Sequence, residues 1–164
     1  MTTKSLKSCI PELARVLGET TDALYERQRA LDREGLLESR PGRGPGSGVR
    51  ATPESIAMLL IGLLASVSLS DAGARARDIA KTKNVGKTAE IFKDALARIL
   101  SDDGLAAAVK VIRVAVTHGY ASIESETGNT VFMGRKPGKS AVRVDVAIDA
   151  DTVRALAKLV SELK

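Results

Sequence analysis

Sixteen consecutive residues, Ser55 to Ser70, carry no charge. Within this run, Ile56 to Leu69 is apolar almost all the way round a helix, so no face is left for water. Such a helix must be covered on most sides, by its own chain or by a partner subunit. The run is shorter than the ~20 residues a membrane-crossing helix needs, and Ser and Gly interrupt it. It therefore predicts a buried or interface helix, with no membrane as partner. Thr52 suits the cap and Pro53 the first helical position, which sets the expected helix at 53–69.

What can cover this helix is limited by composition. The 164 residues are 44% hydrophobic but only 2% aromatic, with two Tyr, two Phe and no Trp, so Leu, Ile, Val and Ala must build the core. That scarcity disfavours nucleic-acid binding by base stacking, carbohydrate stacking and aromatic cages for quaternary amines. Wholesale disorder is excluded by the abundance of Leu and Val beside 27% charged residues. The single cysteine, Cys9, forms no intrachain disulfide, and a reducing cytoplasm is the expected home. The polar stretch Met1–Lys7 lacks the apolar core of a secretion signal. Cys9 itself reads as a small buried hydrophobe before it reads as a redox thiol.

Around the apolar run the pattern alternates between helical and extended. Ile10, Leu13, Ala14 and Leu17 form one helical stripe over 10–18, with Pro11 in the first turn and Gly18 as stop. Thr20 or Thr21 caps a second helix running to about Glu34, closed by Gly35. Two short extended pieces, 36–39 and 49–52, flank a Gly/Pro-rich tip and predict a β-hairpin. Further helices are expected over 71–82 and 87–100, and Asp102-Asp103-Gly104 breaks the pattern. From Ala108 the period becomes two, and turns at Thr117–Gly119 and Thr127–Asn129 predict a meander of three or four antiparallel strands. Val142, Val144, Val146 and Ile148 form the last strand, and Asp149 or Asp151 caps a final helix carrying Val153, Leu156, Ala157, Val160 and Leu163. The fold class expected is α+β, in three segments. Residues 1–52 form a winged helix-turn-helix, 53–103 a helical linker and oligomerisation region, and 104–164 an antiparallel sheet with a C-terminal helix.

Catalytic chemistry finds little support. Gly134 to Ser140 is one residue short of the phosphate-loop pattern and precedes a strand, whereas phosphate binding needs a helix N-terminus. Asn84-Val-Gly-Lys-Thr88 precedes a helix, but Lys81 stands where the first glycine belongs. His118 is the only histidine, so neither a zinc site nor a Cys/His nucleophile pair can be assembled from standard ligands. No metal, no cofactor and no enzymatic activity are expected.

The charge points elsewhere. Net charge is +5, with nine basic against seven acidic residues in 1–50 and seven against three in 74–98. Such a balance favours phosphate-rich partners. Leu24 and Leu31 can pack the second helix onto Leu13 and Leu17, leaving Asp22, Tyr25, Glu26 or Gln28, and Arg29 on the opposite face. Gln28 and Arg29 are the side-chain types that read adenine and guanine edges. Thr21 and Arg27 are candidates for holding phosphates, and Arg40, Arg43 and Arg50 arm the hairpin. Competing with this, Glu26, Arg29 and Arg33 are also spaced for ion pairs along the helix. The basic series Arg75, Arg77, Lys81, Lys83 and Lys87, and the loop Arg135-Lys136-Pro-Gly-Lys139, either extend the phosphate footprint or are solvated surface.

The residues Glu12-Leu13-Ala14, Gly18, Thr21, Leu24-Tyr25-Glu26-Arg27, Gly35-Leu36-Leu37 and Arg40 fall in an order that resembles the MerR-like winged-helix regulators, over about residues 6–65. The resemblance implies a winged-helix fold and DNA binding, not metal or drug sensing. Together these readings predict a sequence-specific double-stranded DNA-binding protein. It would be a bacterial or phage-type transcriptional regulator, dimeric through helix 53–69, with the C-terminal part as a further candidate contact. The alternative is a phage-type DNA packaging or assembly adaptor, which also joins a helix-turn-helix to an oligomerisation region.

Overall fold

Ser5 opens the first helix, one turn earlier than the stripe from Ile10 suggests. In this computed structural model, which describes residues 4–40, 42, 48–66, 68–86, 88–134 and 143–163, helix α1 runs Leu6–Leu17. The Ser5 side chain accepts a hydrogen bond from the Ser8 amide at 3.2 Å. Pro11 therefore lies inside the helix rather than in its first turn. The lost amide bond is tolerated because Leu6, Cys9, Ile10, Leu13 and Ala14 anchor α1 by its buried face. Burial also pushes the Cys9 thiol above its ordinary pKa. A thiol reagent is expected to label Cys9 only as fast as the protein unfolds. Rapid labelling in native buffer would contradict this placement.

Helix α2 spans Thr21–Arg33, with Thr20 as its cap, accepting from the Ala23 amide at 3.2 Å. Gly35, at φ 66°, turns the chain out of it. The hairpin that follows is shorter than expected. Strands β1 (Ser39–Arg40) and β2 (Gly48–Val49) pair antiparallel, Ser39 opposite Val49 and Arg40 opposite Gly48. Leu37 is buried instead of lying in a strand. The segment before α1 lies against the hairpin base, where Ser5 bridges Arg50 and the Ala51 amide donates to the Lys4 carbonyl at 2.9 Å. The hairpin tip, with Arg43, lies outside the described residues, as do Lys87 and residues 135–142.

The apolar run forms helix α3, Pro53–Leu64. Its start is a capping box: Ser55 N–H donates to Thr52 Oγ1 at 3.2 Å, and Thr52 N–H donates to Ser55 Oγ at 2.9 Å. The helix stops five residues before the expected end, and Leu69 is 46% exposed. Ser55 through Gly62, and Leu64, are buried. The cover comes from α2 and from two later helices of the same chain, α4 (Ala72–Ala80) and α5 (Phe92–Leu100). A partner subunit on α3, expected from its lack of a polar face, is therefore not needed. At Gly62 an added Cβ would sit 3.1 Å from Leu31, so glycine there lets α2 and α3 approach closely.

Between α4 and α5 the chain makes a short strand, β3 (Lys83–Asn84), so the helix expected from residue 87 begins only at Phe92. The expected break at 102–104 is instead a helix start. Asp102 accepts from the Leu105 amide at 3.0 Å and caps α6 (Asp103–Ala108). Strands β4 (Val109–Ala115), β5 (Tyr120–Ser125), β6 (Gly128–Met133) and β7 (Asp145–Asp149) follow, and then α7 (Ala150–Ser161). The described strands form an antiparallel sheet in the order β3-β6-β5-β4-β7, one strand more than the meander predicts. Ile112, Val114, Ala121, Ile123, Phe132 and Ile148 are buried from the sheet, and α5 and α7 pack together beside it. Phe92 of α5 meets Phe132 of β6 with ring centroids 5.2 Å apart. One cluster of buried side chains runs from Leu6 to Val160, across all three chain segments. The architecture is α+β.

Helix α7 is capped by Asp149, which accepts from the Thr152 amide at 2.8 Å. Backbone and side-chain hydrogen bonds from Thr152 hold this carboxyl below its ordinary pKa. Its contribution to stability is complete above the usual carboxylate range and lost as pH falls through the lowered value. The destabilisation caused by Asp149→Asn, read from urea midpoints, is expected to shrink on going from neutral to strongly acidic buffer. A difference that grows in acid contradicts this.

Candidate nucleic-acid interface

Helix α2 turns two unlike faces to its surroundings. Leu24, Gln28, Ala30 and Leu31 are buried, while Thr21, Asp22, Arg29, Asp32 and Arg33 are exposed, with Tyr25 half-buried beside them. The division follows from 100° per residue. Gln28 stands four residues after Leu24 and three before Leu31, so it shares their stripe. Its expected place among the base-reading residues is corrected accordingly: it faces the core, and its Oε1 has no hydrogen-bond partner. Arg27 also departs from its expected role. It is half-buried and lines a groove of about 400 Å³ bordered by Leu17, Leu63 and the β7–α7 junction.

On the outward face two cations flank one ring. Lys7 Nζ lies 5.1 Å, and Arg29 Cζ 6.0 Å, from the centroid of Tyr25. Such contacts contribute about 0.5–1 kcal/mol each at exposed sites. They also hold two long cationic side chains over one patch. Arg29 is paired with Glu26 at 3.1 Å, the ion pair that its spacing allows. Lys7 was missed by sequence reasoning, because a helix starting at Ile10 leaves it in an unstructured tail. The signal that could have found it is Ser5 as a cap ahead of Leu6 and Cys9, which extends the Ile10–Leu13 stripe backwards by one turn.

Thr21 is the first exposed residue after the cap of α2. Arg40 and Arg50 are exposed on the hairpin. They line a cleft of about 460 Å³ at its base, together with Glu38, Glu54 and Lys93 of α5. The contact between Ser5 and Arg50 brings the start of α1 beside this cleft.

The middle basic series is partly consumed by the fold. Arg75 pairs with Asp71 and donates to the Val116 carbonyl at 3.0 Å, and Arg77 donates to Glu34 Oε2 at 2.6 Å. Lys81 and Lys83 are exposed. His118 Nδ1 lies 2.7 Å from Thr117 Oγ1 in the β4–β5 turn. Among the described residues no cluster of His, Cys, Asp and Glu is suited to a metal ion, and no helix is long and apolar enough to cross a membrane.

Compared with protein-family models, with curated proteins and with solved structures, the chain has no match.

Proposed function

We propose that this chain binds double-stranded DNA through α1, α2 and the β1–β2 hairpin, as a transcriptional regulator of bacterial or phage type. The observation that supports the reading is the pair of cations, Lys7 of α1 and Arg29 of α2, held over Tyr25. Two helices joined across Gly18–Thr20 and followed by an arginine-bearing hairpin have the layout of a winged helix-turn-helix. In that arrangement α2 enters the major groove and the hairpin rides on phosphates. Arg29 is then the guanine-reading candidate once it exchanges Glu26 for a base edge. Lys7, Arg33, Arg40 and Arg50 neutralise phosphates, and Thr21 meets the backbone at the start of α2. Recognition of this kind uses hydrogen bonds and charge, not stacking, as suits a chain with so few aromatic rings.

Two half-sites read by a dimer remain part of the proposal, with the subunit contact outside α3. The test is fluorescence anisotropy on duplexes recovered from a random pool, titrated across salt concentrations. The reading expects a recovered motif that outcompetes random duplex, with affinity falling steeply as salt rises. No binding at low salt, or no preference for any recovered sequence, overturns it. Light-scattering mass of the complex checks the dimer, and a ring of many subunits would favour an assembly adaptor instead.

A further inference from the structure

The groove that holds Arg27 lies between parts of the chain far apart in sequence. Its walls come from the α1–α2 turn (Leu17, Glu19), α2 (Arg27), the end of α3 (Leu63) and the β7–α7 junction (Val146, Asp149). At about 400 Å³ it falls within the ~300–1,000 Å³ of small-molecule sites.

Three features define what it would hold. Arg27 pairs with no carboxylate among the described residues, and its Nε is enclosed without an acceptor. A half-buried guanidinium without a counter-charge favours an anion at its accessible nitrogens. Glu19 likewise has no side-chain partner among the described residues, and it is exposed at the groove. The third charge, Asp149, is already committed to the Thr152 amide. Leu17, Leu63, Val146 and Ile148 supply the apolar part of the lining. Strand β7 is paired only with β4 among the described strands, and its residues Val146 to Asp149 line the groove.

We propose that this groove binds a free α-amino acid with an apolar side chain, its carboxylate on Arg27, its ammonium toward Glu19 and its side chain on the apolar wall. A phosphate ester fits poorly beside Glu19 and Asp149. A wholly apolar ligand leaves Arg27 unserved. The site joins the helix pair to the C-terminal sheet, so occupancy braces α1 and α2 against β7. Any effect on DNA affinity rests on the DNA-binding reading; the binding itself does not.

The experiment is calorimetric titration of the full chain with L-leucine, L-methionine and L-phenylalanine, beside L-lysine and L-aspartate, with thermal melts in parallel. Saturable binding of at least one apolar amino acid is expected, with a matching rise in melting temperature. The methyl ester, the N-acetyl derivative, Arg27→Gln and Glu19→Gln should each weaken it about tenfold or more. If Arg27→Gln does not fold, the ester, the N-acetyl compound and Glu19→Gln still decide. Absence of binding by every apolar amino acid overturns the proposal. So does an ester that binds as tightly as the free acid, or tighter binding of L-lysine or L-aspartate. Anisotropy with and without the amino acid is run separately: DNA binding that fails while the calorimetric signal stands removes the DNA reading and leaves this site in place.

Discussion

Truncating Leu60 to alanine is expected to lower the unfolding free energy by about 2–5 kcal/mol, the cost of a cavity at a fully packed leucine. Leu60 is 1% exposed in the middle of α3, and α2, α4 and α5 close around that helix. The loss is a large share of the ~5–15 kcal/mol that holds a typical domain together. The substitution also separates two accounts of the same apolar helix. If α3 is core within one chain, urea midpoints of wild type and variant are independent of protein concentration. If α3 joined subunits, both midpoints would rise with concentration. Leu63, half-buried at the groove, is the internal control and should lose less on truncation. A concentration-dependent midpoint, or a loss at Leu60 no greater than at Leu63, would show that α3 is not buried as described.

The second large effect concerns DNA. Lys7→Ala combined with Arg29→Ala is expected to weaken duplex binding about 10- to 100-fold at moderate salt and to flatten the salt dependence by up to about two counterions. Glu26→Gln releases Arg29 from its ion pair and should tighten binding. Gln28→Ala is the informative contrast, because Gln28 is buried beside Leu24 and Leu31. It should alter thermal stability and leave DNA affinity unchanged. Were Gln28→Ala to weaken binding as much as the double variant, the helix would be reading DNA through its other face, and Lys7 and Arg29 would not form the interface.

Where one local signal decides the structure, the sequence was legible. Thr20, Thr52 with Pro53, and Asp149 each announce a helix start and each is used as one. The alternation of Val109 to Ala115 and the turns after it give the meander. The errors arise where a local rule competes with something longer in range. Pro11 draws the start of α1 toward itself, yet Ser5 and the buried Leu6 and Cys9 carry the helix back one turn. Strand β3 has only two residues, and it exists because Lys83 and Asn84 find Met133 and Phe132 across the sheet. The apolar run outlasts its helix, and just beyond Leu64 Ser66 Oγ donates to the Gly62 carbonyl at 3.1 Å. For the candidate interface, the sequence reading sets Gln28 on the face opposite Leu24 and Leu31, although its spacing of four and three residues from them places it on their stripe. Lys7 and the groove at Arg27 required the packed chain, since both depend on which elements become neighbours.

Helix α4 does something that its sequence, small residues punctuated by two arginines, does not advertise. Arg75 and Arg77 stand two positions apart and so leave opposite sides of the helix. One grips the Val116 carbonyl at the end of β4, the other Glu34 at the end of α2. The two grips lie about 3 Å apart along the axis of α4, one on the end of the sheet and one on the tail of the helix proposed to read DNA. A helix held on both sides in this way couples the two elements it grips. If α2 leans as it enters a groove, the turn at Val116 is pulled with it, so a spectroscopic label on that turn should register DNA without touching it.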